Sequence, residues 1–128
     1  MAETKTLIEQ ARLILESPDN WTKKASERKG KSGKVQRCLA GALYKAAANN
    51  NVDPNSYIAK EMMTEVSNII KSKAIFTNRV YEPIKDGPKV SAVDIGTFGH
   101  VSRFNDHSFT THAEVLSVLD STIAKINE

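Results

Sequence analysis

The chain has 128 residues, 40% of them hydrophobic and 26% charged, and a formal net charge of +3. This length and composition predict one soluble globular domain over residues 1–128. They exclude a membrane protein, because no apolar run reaches the ~20 residues that span a bilayer. The first 17 residues are amphipathic and partly acidic, unlike a signal peptide, and the single cysteine forms no internal disulfide. We therefore expect a cytoplasmic protein.

The first predicted element is a helix over residues 5–17. Its apolar residues recur at helical spacing, Thr6 and Glu9 can form a capping box, and Pro18 stops the pattern. The basic residues that follow, in 23–37, include too few apolar side chains for a core element. They predict a loop or an exposed hairpin.

The basic segment holds most of the positive charge of the chain. Between Lys23 and Arg37 there are seven basic residues and one acidic residue, so this segment is +6 and the rest of the chain is −3. A local positive patch predicts one anion site, whereas proteins that coat duplex nucleic acid usually spread their charge over a face. The alternative is a solvated, mobile loop, because Gly30 and Gly33 favour flexibility.

Two more helices are predicted before residue 73. The second begins near Cys38, carries an alanine-rich apolar stripe and ends near Asn49. The third has Asp53 as its N-cap and Pro54 at its first position, and it runs to about Ser72.

The pattern changes between residues 75 and 104, where β-branched and aromatic residues alternate with turn residues. This region predicts short strands in a small antiparallel sheet. Thr111 and Glu114 then form a capping box for a last helix that reaches Ile126. The expected fold is α+β and mainly helical, with three to four helices and a small antiparallel sheet between helix three and the C-terminal helix.

Several short motifs, in this order, resemble a family of small bacterial and bacteriophage proteins known only as a domain of unknown function. The motifs are Trp21-Thr22-Lys23, Arg37-Cys38-Leu39-Ala40-Gly41-Ala42-Leu43, Phe104-Asn105-Asp106, Thr111 with Glu114-Val115-Leu116, and Leu119-Asp120. The resemblance covers nearly the whole chain, apart from residues 72–99, and implies no activity.

Cys38 has two interpretations. At a helix start beside Arg37, its thiolate would be stabilised by the helix dipole and the neighbouring cation, as a nucleophile requires. His100 could then be its base, with Asn105 or Asp106 orienting the imidazole, in the chain order of papain-like hydrolases. A buried thiol that packs in the core is the favoured interpretation, because Cys38 lies on the apolar stripe of its helix.

Two other residues favour packing. Gly41 inside a helix costs about 1 kcal/mol relative to alanine, so we expect another backbone or a ligand to approach it closely. Trp21 is expected to cover one end of the core, the alternative being stacking on a planar ligand.

The segment before the last helix is the second candidate region. Asn105 and Asp106 predict an Asx turn that leads from a strand into the helix. Alternatively, Arg103, His107 and His112 could bind an anion at the N-terminus of that helix. The histidines do not fall at a zinc spacing and give only a weak metal signal.

The favoured function is a non-enzymatic binding protein for a phosphate-bearing small molecule, a nucleotide or cyclic nucleotide signal, acting as a homo-dimer or higher oligomer. By analogy with small phage proteins, it is a candidate sponge or inhibitor of host defence. The alternatives are a cysteine-dependent hydrolase using Cys38 and His100, and a nucleic-acid-binding protein. No cofactor, metal or membrane partner is predicted. The candidate ligand-binding residues are Trp21, Lys29, Lys31, Lys34, Arg37, Arg103, Asn105, Asp106 and His107.

Overall fold

The structure, a computed structural model, describes residues 2–30, 33–82 and 95–127. The described residues form six α-helices, a short 3₁₀ turn and two short strands. The helices are α1 (Ala2–Ile14), α2 (Leu39–Asn49), α3 (Tyr57–Lys71), α4 (Ala74–Tyr81), α5 (Thr97–Asp106) and α6 (His112–Ile126); the 3₁₀ turn is Pro18–Asn20, and the strands are β1 (Arg28–Lys29) and β2 (Val35–Gln36). The prediction of a mainly helical α+β fold with a small antiparallel sheet is confirmed, although six helices replace the three or four expected.

The predicted start of the last helix is confirmed. The Thr111 hydroxyl accepts a hydrogen bond from the Glu114 amide at 3.2 Å, and the Glu114 carboxylate accepts one from the Thr111 amide at 2.9 Å. This reciprocal pair satisfies two N–H groups that no helical carbonyl can reach.

Two other predicted helix starts are wrong. α1 already begins at Ala2, so Thr6 lies inside the helix and does not cap it. α3 begins after Ser56, whose hydroxyl accepts from the Ala59 amide. The Asp53 carboxylate instead accepts from the Asn55 amide and closes a turn ahead of the helix, because an Asp side chain can bond its own backbone two residues on.

The strands predicted between residues 75 and 104 are wrong where the structure describes this region. Both described parts, α4 and α5, are helices. Phe76 and Val80 of α4 and Val101 and Phe104 of α5 recur at helical spacing and are buried, and the rings of Phe76 and Phe104 lie 4.7 Å apart. Burial of one helical face outweighs the β-propensity of these residue types. Residues 83–94 lie outside the described residues.

The small antiparallel sheet lies instead in the basic segment. Arg28 pairs with Gln36 and Lys29 with Val35, so the exposed hairpin, one of the two structures expected there, is present. Gly33 has φ of +81°, a conformation that glycine adopts without strain, and its amide donates to the Gly30 carbonyl at 3.0 Å. Residues 31–32 lie outside the described residues.

The hydrophobic core is built chiefly by α1, α2, α3, α5 and α6. α1 packs against α2, α3 and α6, and α3 also packs against α5 and α6. Each large side chain that is fully buried contributes roughly 1.5–3 kcal/mol. These side chains include Leu7, Ile8, Leu15, Leu39, Leu43, Met62, Ile70, Phe104 and Leu119. Among the described helices none is both long enough and apolar enough to cross a membrane.

Candidate functional site

Three of the sequence motifs meet around one buried amide, that of Asn105. Its Oδ1 accepts hydrogen bonds from Trp21 Nε1 at 2.7 Å and from the Leu39 amide at 3.1 Å. Its Nδ2 donates to the Thr22 carbonyl at 3.1 Å and to Asp106 Oδ1 at 3.0 Å. The side chain therefore joins the end of α5 to the start of α2 and to the loop after the 3₁₀ turn.

The next two residues extend this junction. Asp106 Oδ1 accepts from the Lys24 amide at 2.7 Å, and Lys24 has φ of +64°. Lys23 Nζ donates to the His107 carbonyl at 2.6 Å, and burial lowers the pKa of this ammonium group. We call the junction of residues 21–24 with the start of α2 and the end of α5 the motif seam.

The predicted Asx turn at Asn105 and Asp106 is wrong. Both residues are the last of α5, and α5 is a helix, not a strand. Their side chains act over long range, bonding residues 66 to 84 positions away, while the turn into α6 follows them.

Gly41 lies where the backbone of the basic segment crosses α2. A Cβ at this position would stand 2.0 Å from the Ser26 carbonyl oxygen, closer than any side chain tolerates. The predicted close approach of another backbone is confirmed, and it explains why a helix interior carries glycine.

Cys38 is part of the core, as the favoured interpretation predicted. Its side chain caps α2, with Sγ accepting from the Gly41 amide at 3.3 Å, and only 7% of the residue is exposed. Burial raises the pKa of the thiol, since a thiolate would lose its hydration. The thiolate stabilisation expected of a nucleophile is therefore reversed here.

His100, the candidate base of the hydrolase alternative, has partners other than the thiol. Its Nδ1 lies 3.0 Å from the Gly96 carbonyl and its Nε2 lies 2.6 Å from the Tyr81 hydroxyl. Because a carbonyl only accepts, Nδ1 carries the proton and Nε2 accepts from Tyr81 in the neutral ring. Both nitrogens of this buried imidazole are thus occupied.

Trp21 packs against the core, as predicted. Its ring centroid lies 5.9 Å from that of His112, and Lys23 Nζ lies 5.5 Å from it. With its N–H bonded to Asn105, the indole is fixed at the motif seam.

The hairpin has a tethered face and a free face. Arg28 Nη2 donates to Gln36 Oε1 at 3.1 Å, and Gln36 Nε2 donates to the Asp19 carbonyl at 3.1 Å. Because side chains alternate along a strand, the pair Lys29 and Val35 faces the other way, and both are exposed.

The predicted hairpin lysines are available to an anion. Lys29 and Lys34 are exposed and form no ion pair with any residue that the structure describes. The third, Lys31, lies outside the described residues.

The two predicted arginines have separate partners within the protein. Arg37 Nη2 lies 2.8 Å from Glu27 Oε1. Arg103 donates from Nε to the Val80 carbonyl at 2.5 Å and from Nη2 to the Glu82 carbonyl at 2.7 Å, so it caps the C-terminus of α4. No contact brings the two guanidinium groups together.

The start of α6, the predicted anion site, and the start of α2 each have two backbone amides that already donate within the protein. At α2 the Leu39 amide donates to Asn105 and the Gly41 amide to Cys38. At α6 the capping box occupies the Thr111 and Glu114 amides.

A groove of about 550 Å³ runs beside α4, and no feature of the sequence predicted it. Ile75 and Phe109 are apolar residues on its walls, 58% and 75% exposed. His107 lines it too, with Nδ1 accepting from the Phe109 amide at 3.1 Å and Nε2 bonded to Glu82. We call this feature the α4 groove, lined by Ile75, Asn78, Arg79, Glu82, His107 and Phe109, with Tyr81 beside them.

Comparison with known families decides where the chain belongs. Residues 1–125 match the model of a family of unknown function, DUF6197. The chain belongs to the DUF6197 family. The predicted membership in a family of unknown function is therefore confirmed. No curated protein and no solved structure matches this DUF6197 chain.

In this DUF6197 protein, a metal site would need several clustered ligands. Within residues 2–30, 33–82 and 95–127 there is no group of three or more His, Cys, Asp or Glu side chains that could hold a metal ion.

Proposed function

We propose that this DUF6197 protein is a non-enzymatic binding protein and that the free lysines of its basic hairpin hold a phosphate-bearing ligand, a nucleotide or cyclic nucleotide. The observation that carries the proposal is the contrast between cations. The guanidinium groups of Arg37 and Arg103 are bonded to other groups of the protein. Lys29 and Lys34 are exposed and have no described ion-pair partner.

The hairpin is held in place, which favours binding because less order is lost when a ligand arrives. The Arg37 amide donates to the Asn20 carbonyl at 2.8 Å and the Cys38 amide to the Ala25 carbonyl at 3.2 Å. Gln36 adds its bond to Asp19. These bonds anchor the base of the hairpin to the 3₁₀ turn and to α2.

Three of the other predicted ligand residues, Trp21, Asn105 and Asp106, make their hydrogen bonds within the motif seam. Lys23, which was not a predicted ligand residue, donates to the His107 carbonyl. Direct ligand contact by Trp21, Asn105 and Asp106 stays a prediction; the role that we propose for them is to fix the hairpin.

Two finer elements belong to the proposal. As a binding protein without catalytic machinery, it would act by sequestering its ligand, as a sponge or inhibitor of a host defence would. A homo-dimer that holds the ligand between protomers remains the expected assembly.

Nucleic acid is the second candidate ligand, because Lys29 and Val35 form an open strand face that a sugar-phosphate backbone could cross. The two ligands differ in their salt dependence. Affinity for a polynucleotide falls steeply with salt as counterions are released, with a slope set by the number of phosphates contacted.

The test replaces Lys29, Lys31 and Lys34 with Ser and measures binding of ATP, GTP and 3′,5′-cyclic AMP by calorimetry. We expect binding to weaken at least tenfold, about 1.4 kcal/mol. The thermal midpoint should change little, because Lys29 and Lys34 are exposed and form no ion pair with a described residue. The matched control replaces Lys45, Lys60 and Lys71, exposed lysines on α2 and α3.

If the hairpin triple variant binds nucleotides as tightly as the unaltered protein, the site lies elsewhere and the proposal fails. If only a 20-nucleotide DNA or RNA binds, with a steep salt slope that the triple variant reduces, the second candidate is correct.

A further inference from the structure

We propose that the α4 groove holds the planar base of the ligand whose phosphates the hairpin binds. This inference rests on the proposed function and adds a second half to the same site. It assigns the groove to a nucleobase.

The dimensions and walls of the groove suit such a ligand. Its volume of about 550 Å³ lies within the ~300–1,000 Å³ typical of small-molecule sites. The ring of Phe109 is 75% exposed. Its centroid lies 5.5 Å from that of His107 at an interplanar angle of 56°, so the neighbouring ring is tilted and does not stack flat upon it. An exposed aromatic face at the mouth of a groove is a platform on which any base can stack.

The groove also carries polar groups that can read the edge of a base. Asn78 is exposed and its side-chain amide makes no hydrogen bond to a described residue. An amide offers a donor and an acceptor side by side, the pattern that adenine N7 and N6 complement. Glu82 bonds His107 through Oε2, and its Oε1 accepts no hydrogen bond from the described residues.

Cations link the groove to the base of the hairpin. Lys23 Nζ donates to the backbone carbonyl of His107, whose side chain lines the groove. The backbone amide of the next residue, Lys24, donates to Asp106 Oδ1. The Lys23 ammonium thus places a positive charge beside the groove, and the chain leads from there into the hairpin.

Arg79 forms the floor of this arrangement. Its guanidinium lies 2.8 Å from Glu114 Oε1 and 3.2 Å from the Thr110 hydroxyl, and only 11% of its side chain is exposed. Because the positive charge of Arg79 is paired with Glu114, the groove offers no free guanidinium to a second anion and suits a neutral planar group better.

The experiment separates the two halves of the ligand. Adenosine, guanosine, uridine and cytidine carry a base without phosphate, and inorganic triphosphate carries phosphate without a base. In ¹⁵N-labelled protein we expect at least one nucleoside to shift the amide signals of Asn78 and Phe109, and triphosphate to shift those of Lys29 and Lys34.

Variants at Phe109 provide the decisive comparison. Phe109→Ala should weaken binding of the best nucleotide at least tenfold and remove the nucleoside shifts, while Phe109→Tyr keeps a stacking ring and should retain both. Tyr57→Ala is the matched control, because Tyr57 is 79% exposed and lies at the start of α3. Since Phe109 is exposed, its loss should leave the thermal midpoint unchanged.

Each outcome separates this inference from the proposed function. If no nucleoside shifts Asn78 or Phe109 while triphosphate still shifts the hairpin, the groove assignment is wrong and the hairpin proposal stands. If a nucleoside binds the groove and triphosphate leaves Lys29 and Lys34 unmoved, the hairpin proposal fails and the groove is a base site without it. If Phe109→Ala changes only the sedimenting mass of the protein, the groove is a contact between copies and the inference is overturned.

Discussion

At the level of single residues, Asn105 contributes more to the structure than any other polar side chain at the motif seam. It is fully buried, and both of its amide atoms are bonded to partners far away in the sequence. Removing it would strand the Leu39 amide, the Trp21 N–H and the Thr22 carbonyl, and each buried group left unpaired costs about 1–3 kcal/mol.

We therefore expect Asn105→Ala to lower the free energy of unfolding by about 3 kcal/mol or more, measured by urea denaturation. Asn105→Asp keeps the oxygen that accepts from Trp21 and Leu39 but replaces the donor to Thr22, so it should retain part of that stability if Asn105→Ala fails to fold. Asn68→Ala is the control, because Asn68 is exposed on α3 without a described side-chain bond. Equal effects of Asn105→Ala and Asn68→Ala would show that the seam does not stabilise the fold.

The role of Asn105 could not be predicted from its neighbours. Asn and Asp just before a capped helix form a turn in most local contexts, which is why the sequence suggested one. The actual partners lie 66 to 84 residues away along the chain. Local sequence patterns do not indicate which distant residues will be in contact. Cys38 and Gly41 were predictable, because burial of an apolar stripe and the cost of a helical glycine are local properties.

Among the helices, the predicted start was correct for α6, whose capping box lies within Thr111 to Glu114. The N-cap of α3 was placed at Asp53, although Ser56 caps that helix, and α4 and α5 were predicted as strands. Lys73 and Gly96, their N-caps, make no side-chain capping bond. Neither helix therefore has a capping residue that could be recognised in the sequence. Their β-branched and aromatic residues are helical only because α3 offers a surface for them to pack against.

The start of α6 is also joined to α4, since the carboxylate of Glu114 receives both the capping bonds and the Arg79 guanidinium. Burial alone would raise the pKa of Glu114, but the hydrogen bonds from Arg79 and Thr111 outweigh it, so the pKa lies below its ordinary value. A carboxyl with a depressed pKa in the folded state stabilises the protein above its unfolded pKa of about 4.3. That stability is lost as the pH falls through the lower folded value.

We expect Glu114→Gln to be less stable than the unaltered protein at pH 7, and the difference to shrink as the pH is lowered below about 4.3. Urea unfolding at pH 7, 5 and 3.5 measures it. Glu9→Gln, which changes an exposed carboxyl on α1 without an ion pair to a described residue, should show little difference at any of these pH values. A Glu114→Gln deficit that persists undiminished at pH 3.5 would contradict the assignment of the stability to the charged carboxylate.

For the molecule as a whole, composition predicted the exposed basic element better than it predicted the fold around it. The net charge of residues 23–37 can be counted directly from the sequence, and it indicated an exposed basic element. The structure has the exposed hairpin β1–β2 in this segment. The α4 groove went unseen, because its walls come from α4 and from the turn between α5 and α6, and their meeting depends on helices that the sequence pattern did not reveal.

The expectation of a single domain over residues 1–128 leads to the last prediction. All six described helices contribute side chains to one buried cluster, and α1 packs against α2, α3 and α6. Unfolding of any one helix would therefore expose apolar surface on several others.

Trp21, the only tryptophan, reports the motif seam at one side of this cluster, whereas far-ultraviolet circular dichroism reports all the helices. For one cooperative unit, the two signals should follow the same urea curve, with one midpoint and a slope of about 1–3 kcal/mol per molar urea. A tryptophan transition at lower urea than the loss of helix would mean that the seam and its hairpin unfold on their own. The chain would then contain two units of different stability, and the proposed ligand site would belong to the weaker one.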